Sequence, residues 1–258
     1  MIDTGSEFIK LTVDGAIATI IVSRPDKLNA LTFEMIFALE HAAHLIDANV
    51  DVRVAIITGA GDRAFCAGGD VNEWSKVQPE DFGLQWVRIG HRAFDALTRL
   101  RQPLIAALNG HALGGGLELA ACADFRVGEQ QIKIGLPETG IGIIPGWSGT
   151  QRCVRRFGSQ IVRRMSVLGE MLTVDQALAS GVIDRLVARG ASMAAAGEMA
   201  TQIIARSGLA TSSAKMMINA TDGEDAGRAL EALAGIGMAQ SAELQKGLQN
   251  FRSKAKKS

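Results

Sequence analysis

Residues 103–128 read PLIAALNGHALGGGLELAACADFRVG, and the order of structure within this stretch decides the fold. Leu104–Leu108 is a short continuous apolar run closed by Asn109-Gly110, the pattern of a buried strand ending in a turn. GGGLELAACA then has apolar residues at helical spacing, and DFRVG reads as a further short strand. Strand, turn, helix, strand is the grammar of an α/β fold. The three glycines, Gly114, Gly115 and Gly116, ask for a reason, because glycine in a helix interior costs about 1 kcal/mol relative to alanine. A helix start exposes main-chain N–H groups, and glycine lets another group come close to them. Such a backbone can hold a negative oxygen, including one that develops on a carbonyl during reaction.

Working outward, the same grammar recurs. FIKLTVDGAIATIIVSRP (8–25) alternates on both sides of Asp14-Gly15 and predicts a hairpin. NALTFEMIFALEHAAHLIDAN has helical spacing, with Thr32 as its cap. VRVAIITG (52–59) reads as a buried strand, FGLQWVRIGHRAFDALTRL (82–100) as a helix, and IKIG and GVIDRLVA (181–188) as strands. Beyond about residue 190 only helices are predicted, at 191–206, about 209–220, and one long helix around 225–252. The expected organisation is an α/β core over 1–190 followed by a helical segment over 191–258.

Bulk properties narrow the function classes. The chain has 258 residues, 47% of them hydrophobic, enough for a large core without staples. Its 27 basic and 27 acidic residues cancel, which argues against nucleic acid or an anionic membrane surface as the main partner. No apolar run reaches transmembrane length, and MIDTGSEFIK lacks the features of a signal peptide, so a cytoplasmic location is expected. Cys66, Cys122 and Cys153 are scattered, with no zinc or disulfide spacing, and read as small core residues. No metal site is predicted. GIGIIPG (140–146) is not a dinucleotide fingerprint, because Pro145 stands where glycine is needed.

Two acids and a second turn complete a candidate constellation. RAFCAGGDVNEW (63–74) places small residues, Ala67-Gly68-Gly69-Asp70, after a strand, so its backbone can meet the glycine triplet across a pocket. Glu118 lies in the first turn after the triplet, and Glu138 follows in the turn GLPETGIG. Paired acids in an apolar site can divide into acid and base. Each feature alone also has a plain reading: a flexible glycine turn, a carboxylate complementing a helix dipole, a solvated loop acid. His41 and His44 read as surface residues, His91 as lying on a polar helix face, and His111 as a candidate for lining the pocket.

Taken in order, SRPDKLNAL, RAFCAGGDVNEW, PLIAALNGHALGGGLELAACADFRVG, GLPETGIGIIPGWSGTQR and the basic C-terminal end resemble the crotonase superfamily, and within it the enoyl-CoA hydratases. The resemblance covers essentially the whole chain. It implies a spiral of ββα units with C-terminal helices that trimerise, often as a dimer of trimers. It also implies an acyl-CoA thioester substrate and no cofactor beyond the coenzyme A of that substrate. By position it makes the N–H groups of Gly69 and Gly115 an oxyanion hole for the thioester carbonyl. Glu118 and Glu138 become the acids that handle water and the α-carbon proton. Lys27 and Leu28 fall in the segment that runs along the CoA nucleotide, and Lys254 matches a lysine that helps bind CoA phosphate from a neighbouring subunit in relatives. Ala67, Asp70, Gly146 and Trp147 fall on the substrate side of the site.

Both acids are present, which favours reversible hydration of a 2-enoyl-CoA. Double-bond isomerisation, decarboxylation and thioester hydrolysis are the alternatives. The chain departs from its relatives at PGWSGT, where hydratases usually carry Pro-Gly-Ala-Gly-Gly-Thr. Trp147 and Ser148 there imply either a repacked helix start or a pocket reshaped for an unusual acyl group. Trp74 and Trp86, around the 71–86 loop, are expected to line the acyl chain.

Overall fold

All six residues of Val54–Gly59 (β3) are buried, as expected of a strand covered on both faces. The computed structural model, which describes residues 1–223, 235 and 237–255, places β3 inside a six-stranded sheet. Its order is β1 (Ile9–Asp14), β2 (Ile17–Val22), β3, β5 (Leu104–Leu108), β7 (Phe125–Glu129) and β10 (Arg185–Val187). The expected hairpin is there: β1 and β2 pair antiparallel from Ile9↔Val22 to Asp14↔Ile17, with Gly15 supplying a left-handed φ of 52° in the turn. The remaining neighbours pair in parallel.

A second sheet holds β4 (Ala64–Cys66), β6 (His111–Leu113), β8 (Lys133–Gly135) and β9 (Leu172–Thr173). The chain alternates between the two sheets. After β3 comes β4, and then the connection α2 (Val71–Trp74), α3 (Pro79–Asp81), π-type turns over Phe82–Val87 and α4 (Arg88–Thr98) leads to β5. After β5 comes β6, and α5 (Gly115–Ala120) leads to β7. After β7 comes β8, followed by a 3₁₀ turn at Pro137–Ile141, α6 (Arg152–Phe157), α7 (Ser159–Ser166), β9, α8 (Val174–Ala179) and β10. Two strands and a helical return per turn make the ββα spiral.

Two asparagines stitch the passage from one sheet to the other. Asn29 is buried at φ 57°; its Oδ1 accepts from Arg24 N–H (2.8 Å), and its Nδ2 donates to the carbonyls of Ala60 (3.0 Å) and Ala64 (2.7 Å). Asn109 accepts from Gly59 N–H (3.1 Å) and donates to the Gly59 and Gly61 carbonyls. These bonds satisfy strand-end groups that no ladder reaches.

The sheet alternation divides the core. Ala55, Ile57, Leu104, Ala106 and Leu108 join the main core with α1 (Phe33–Ala48), whose Thr32 cap accepts from Met35 N–H as predicted. Val54, Ile56, Ile105, Ala107 and Val127 face the opposite way, against Ala195, Ala196 and Ala200 of α9 (Ser192–Ile204). The next helix, α10 (Gly208–Asp222), is anchored by the buried Lys215, which pairs with Asp124 (2.7 Å) and donates to the Gln102 carbonyl (2.9 Å). Burial pushes the Lys215 ammonium below its ordinary range, and Asp124 opposes that shift.

The expectation of one long helix around 225–252 needs correction. Residues 224–234 and 236 lie outside the described residues, and the helix α11 (Ala242–Ala255) begins after a break at Gln240–Ser241. Ser241 is the reason, since its hydroxyl accepts from Leu244 N–H (3.1 Å) and caps a new helix. Among the described residues no helix is long and apolar enough to cross a membrane.

Asn29→Ala removes three hydrogen bonds of a buried side chain and leaves alanine in a left-handed conformation. We expect urea unfolding to show a loss of about 2–4 kcal/mol; an unchanged midpoint would contradict the stitching role.

Candidate active site

Each glycine of the triplet has a separate steric reason. Gly114 has φ 54° and ψ −126°, a conformation reserved for glycine, and a methyl group on it would lie 2.8 Å from Glu138 Oε1. On Gly116 the methyl would strike the Cys66 carbonyl. On Gly115 it would lie 2.7 Å from the Trp147 indole and 3.2 Å from Gly68 Cα. From the other side, a methyl on Gly68 would lie 3.1 Å from Gly115 N. The turn at 67–70 and the triplet therefore meet backbone to backbone. Among the described residues no acceptor takes the N–H of Gly69 or of Gly115.

The 67–70 turn is held by the loop that carries Leu28. Ala67 N–H donates to the Leu28 carbonyl (3.0 Å), Leu31 N–H to Gly68 (2.8 Å) and Asp70 N–H to Leu31 (2.8 Å). Arg24 pairs with Asp70 at 2.6 Å, and Asp70 also caps α2 by accepting from Asn72 N–H (2.9 Å). The Asp70 carboxylate thus braces the turn. Lys27 is exposed and Leu28 half-buried on the rim of this loop.

Both acids are buried. Glu118 Oε1 accepts from Trp147 N–H (2.7 Å) and Gly149 N–H (2.6 Å). Behind it, the Cys122 thiol donates to the Glu118 carbonyl, and Arg152 reaches both Cys122 Sγ (3.4 Å) and Asp95 (2.7 Å) in a fully buried ion pair. The Glu138 carboxylate faces Gly114, one residue before Gly115. Burial, then Glu118 and more weakly Glu138, hold the Cys153 thiol well above its ordinary value against the opposing pull of Arg152. Burial also pushes Cys66 up to about 12. The buried cysteines are core residues as predicted, with thiols unsuited to nucleophilic work.

Indoles wall the glycine pair. A methyl on Gly69 would lie 2.6 Å from Trp86, 3.2 Å from Trp147 and 3.4 Å from Trp74. Trp147 is buried against Trp86 (centroids 5.0 Å) and Phe94 (5.3 Å), and its Nε1–H donates to the Trp86 carbonyl (3.2 Å). Gly90 is the glycine within α4 because any Cβ there would strike this indole. Gly146 is half-buried beside it.

One histidine reading changes. His91 is buried rather than on a polar face, with Nδ1 2.9 Å from Ser148 Oγ. The His111 ring is taken up at the small sheet, its Nδ1 accepting from Lys133 N–H (2.9 Å). His41 and His44 are exposed, as predicted. Ser148 has φ 81°, which for a residue with a Cβ costs about 1–2 kcal/mol. Lys254 is exposed near the end of α11, whose Arg252 reaches Ser75 Oγ (3.2 Å). Among the described residues no cluster of three or more His, Cys, Asp or Glu is arranged to hold a metal ion.

Residues 12–258 match the enoyl-CoA hydratase/isomerase family. YngF of Bacillus subtilis is 38% identical over 239 residues, covering 92% of each chain. The short-chain-enoyl-CoA hydratase of Clostridium acetobutylicum is 33% identical over 81% of this chain and 80% of its own. The crystal structure of carnitinyl-CoA hydratase from Mycobacterium avium superposes with a TM-score of 0.85 at 27% identity, covering 96% of this chain and 97% of that one. The chain belongs to the enoyl-CoA hydratase/isomerase, or crotonase, family. It is a crotonase-family enzyme, and an acyl-CoA thioester is the substrate class consistent with that family.

Gly90→Ala must displace the Trp147 ring. We expect a loss of about 1–3 kcal/mol together with an altered tryptophan signal in near-ultraviolet circular dichroism; an unchanged spectrum and stability would contradict this packing.

Proposed function

We propose that the protein is a 2-enoyl-CoA hydratase for small acyl groups, adding water reversibly to give the 3-hydroxyacyl-CoA. Two observations support this reading: Glu138 is buried facing Gly114, and Glu118 is buried against the main chain of Trp147, whose indole packs on Gly69 and Gly115. The thioester oxygen lies between the N–H groups of Gly69 and Gly115. Glu118, with two N–H dipoles on one oxygen, is stabilised as a negative carboxylate and takes a proton from water. The water oxygen bonds to the β-carbon, and the π electrons pass to the thioester oxygen, where the two amides hold the enolate-like charge. That charge returns as the α-carbon takes a proton from Glu138, and the proton left on Glu118 then passes to Glu138 through solvent, which restores both groups for the next turnover. Overall one water is added and no electrons leave the substrate, so the reaction calls for no redox cofactor. Coenzyme A enters only as part of the substrate.

Lys27, Leu28 and Lys254 are the proposed contacts to CoA, with Ala67, Asp70, Gly146 and Trp147 on the acyl side. A small acyl group fits the three indoles closing on Gly69, and the Clostridium relative's name points the same way. Leu209, Met216, Met217 and Ile218 are exposed apolar side chains of α10. They support assembly through the 191–258 segment as a homotrimer or a dimer of trimers. A cytoplasmic location suits this metabolic role. The Trp147-Ser148 departure favours, as second reading, another acyl-CoA reaction: isomerisation, decarboxylation or thioester hydrolysis.

Glu118→Gln and Glu138→Gln are each expected to lower kcat about 10²–10⁴-fold with KM little changed, followed by loss of enoyl-thioester absorbance. Hydration by both variants at the wild-type rate would contradict the proposal, and turnover of other acyl-CoAs alongside inert enoyl-CoAs would establish the second reading. In a chain-length panel, crotonyl-CoA is expected to give a kcat/KM at least about tenfold above that of decenoyl-CoA, since each lost pocket contact of methylene size changes the ratio by about 10- to 200-fold. Equal values would contradict the small-acyl assignment.

A further inference from the structure

We propose that His91 and Ser148 form a positioning clamp that holds the cradle of Glu118, a device outside the pair of acids and the two amides. This inference rests on the reading of Glu118 as catalytic. Trp147 N–H and Gly149 N–H both point at Glu118 Oε1, at 2.7 and 2.6 Å, and Ser148 is the residue between them. In an extended segment N–H groups two residues apart lie about 6–7 Å apart, too far to share one oxygen. They converge on one anion when the backbone between them enters the left-handed region, which makes a concave nest. Ser148 is at φ 81°. Its departure from ordinary backbone geometry is therefore what aims both donors at the carboxylate.

Glycine would hold this conformation without strain; serine holds it against its own Cβ. The side chain provides the compensation. Its Oγ is buried 2.9 Å from His91 Nδ1 on α4, within hydrogen-bonding distance whichever atom carries the proton. The Ser148 carbonyl meanwhile accepts from Arg152 N–H (2.7 Å) and Gln151 N–H (3.2 Å), tying the same residue to the start of α6. Next to His91, Gly90 seats the Trp147 indole. One turn of α4 thus fixes two successive residues of the cradle, the indole through Gly90 and the hydroxyl through His91. Observed strain at a buried residue that touches the cradle of a proposed catalytic group is the kind that persists only when its surroundings impose it.

The clamp predicts an order among variants that a purely structural role does not. Ser148→Ala keeps the strain and loses the bond, so kcat is expected to fall about 10- to 100-fold, as for small misplacements of catalytic groups, with KM within about threefold. Ser148→Gly loses the bond and the strain together and is expected to recover to within about threefold of wild type. His91→Ala is expected to match Ser148→Ala, and His91→Asn, which places an amide near the Nδ1 position, to restore most of kcat. In a Ser148→Gly background His91→Ala is expected to have little effect. If Ser148→Ala fails to fold, the comparison of His91→Ala in the wild-type and Ser148→Gly backgrounds carries the test. Equal kcat for Ser148→Ala and wild type, equal losses for Ser148→Ala and Ser148→Gly, a loss confined to KM, or an undiminished His91→Ala effect in the Ser148→Gly background would each overturn the clamp. Normal turnover by Glu118→Gln would instead sink the hydratase reading; an inactive Glu118→Gln beside a fully active Ser148→Ala sinks only the clamp.

Discussion

Two turns of main chain, 67–70 and 114–116, approach so closely that a Cβ at the contact would force one of them to shift, and the rest of the site is arranged around that approach. A methyl on Gly68 or on Gly115 would press into the other turn at 3.1–3.2 Å. The two turns come from successive units of the spiral: one follows β4, the other follows β6, and β4 and β6 are parallel neighbours in the small sheet. Sheet pairing alone therefore brings the two backbones together, and the absence of side chains lets them touch. The loop from Arg24 to Leu31 adds the lateral support, through three main-chain bonds and the Arg24–Asp70 pair.

Buried aromatic side chains surround this junction. Trp74, Trp86 and Trp147 cover the glycines, and a buried Asp95–Arg152 pair stands behind Glu118. Buried ions are expensive unless paired and hydrogen-bonded. Here the carboxylate of Glu118 is met by oriented main-chain N–H groups, which cannot rearrange as water would. A low-dielectric site with fixed donors strengthens every charge interaction within it. The same rigidity comes at the expense of backbone strain at Ser148, concentrated at the point where the cradle must turn.

Much of this was legible in the sequence. Asp14-Gly15 between alternating runs gave the hairpin, Thr32 marked its helix, and the order of strand, glycine turn and acid singled out Glu118 and Glu138, both of which are buried. The second sheet was not legible, because Ala64–Cys66, His111–Leu113 and Leu172–Thr173 are two or three residues long, too short for any periodicity to register. His91 was misplaced because a polar residue on a helix reads as surface unless its partner is known, and Ser148 lies 57 residues away. Gly90, a glycine within a helical pattern, was the available clue that something large packs there. The break before α11 was carried by Ser241, an N-cap signal hidden among helix-forming neighbours.

The account stands or falls on where a thioester oxygen goes. A crystal structure with a bound 3-hydroxyacyl-CoA tests this most directly. It is predicted to place that oxygen about 2.7–3.1 Å from both the Gly69 and the Gly115 nitrogens, with the 3-hydroxyl between Glu118 and Glu138. A thioester oxygen held elsewhere, or a hydroxyl reached by neither carboxylate, would contradict it.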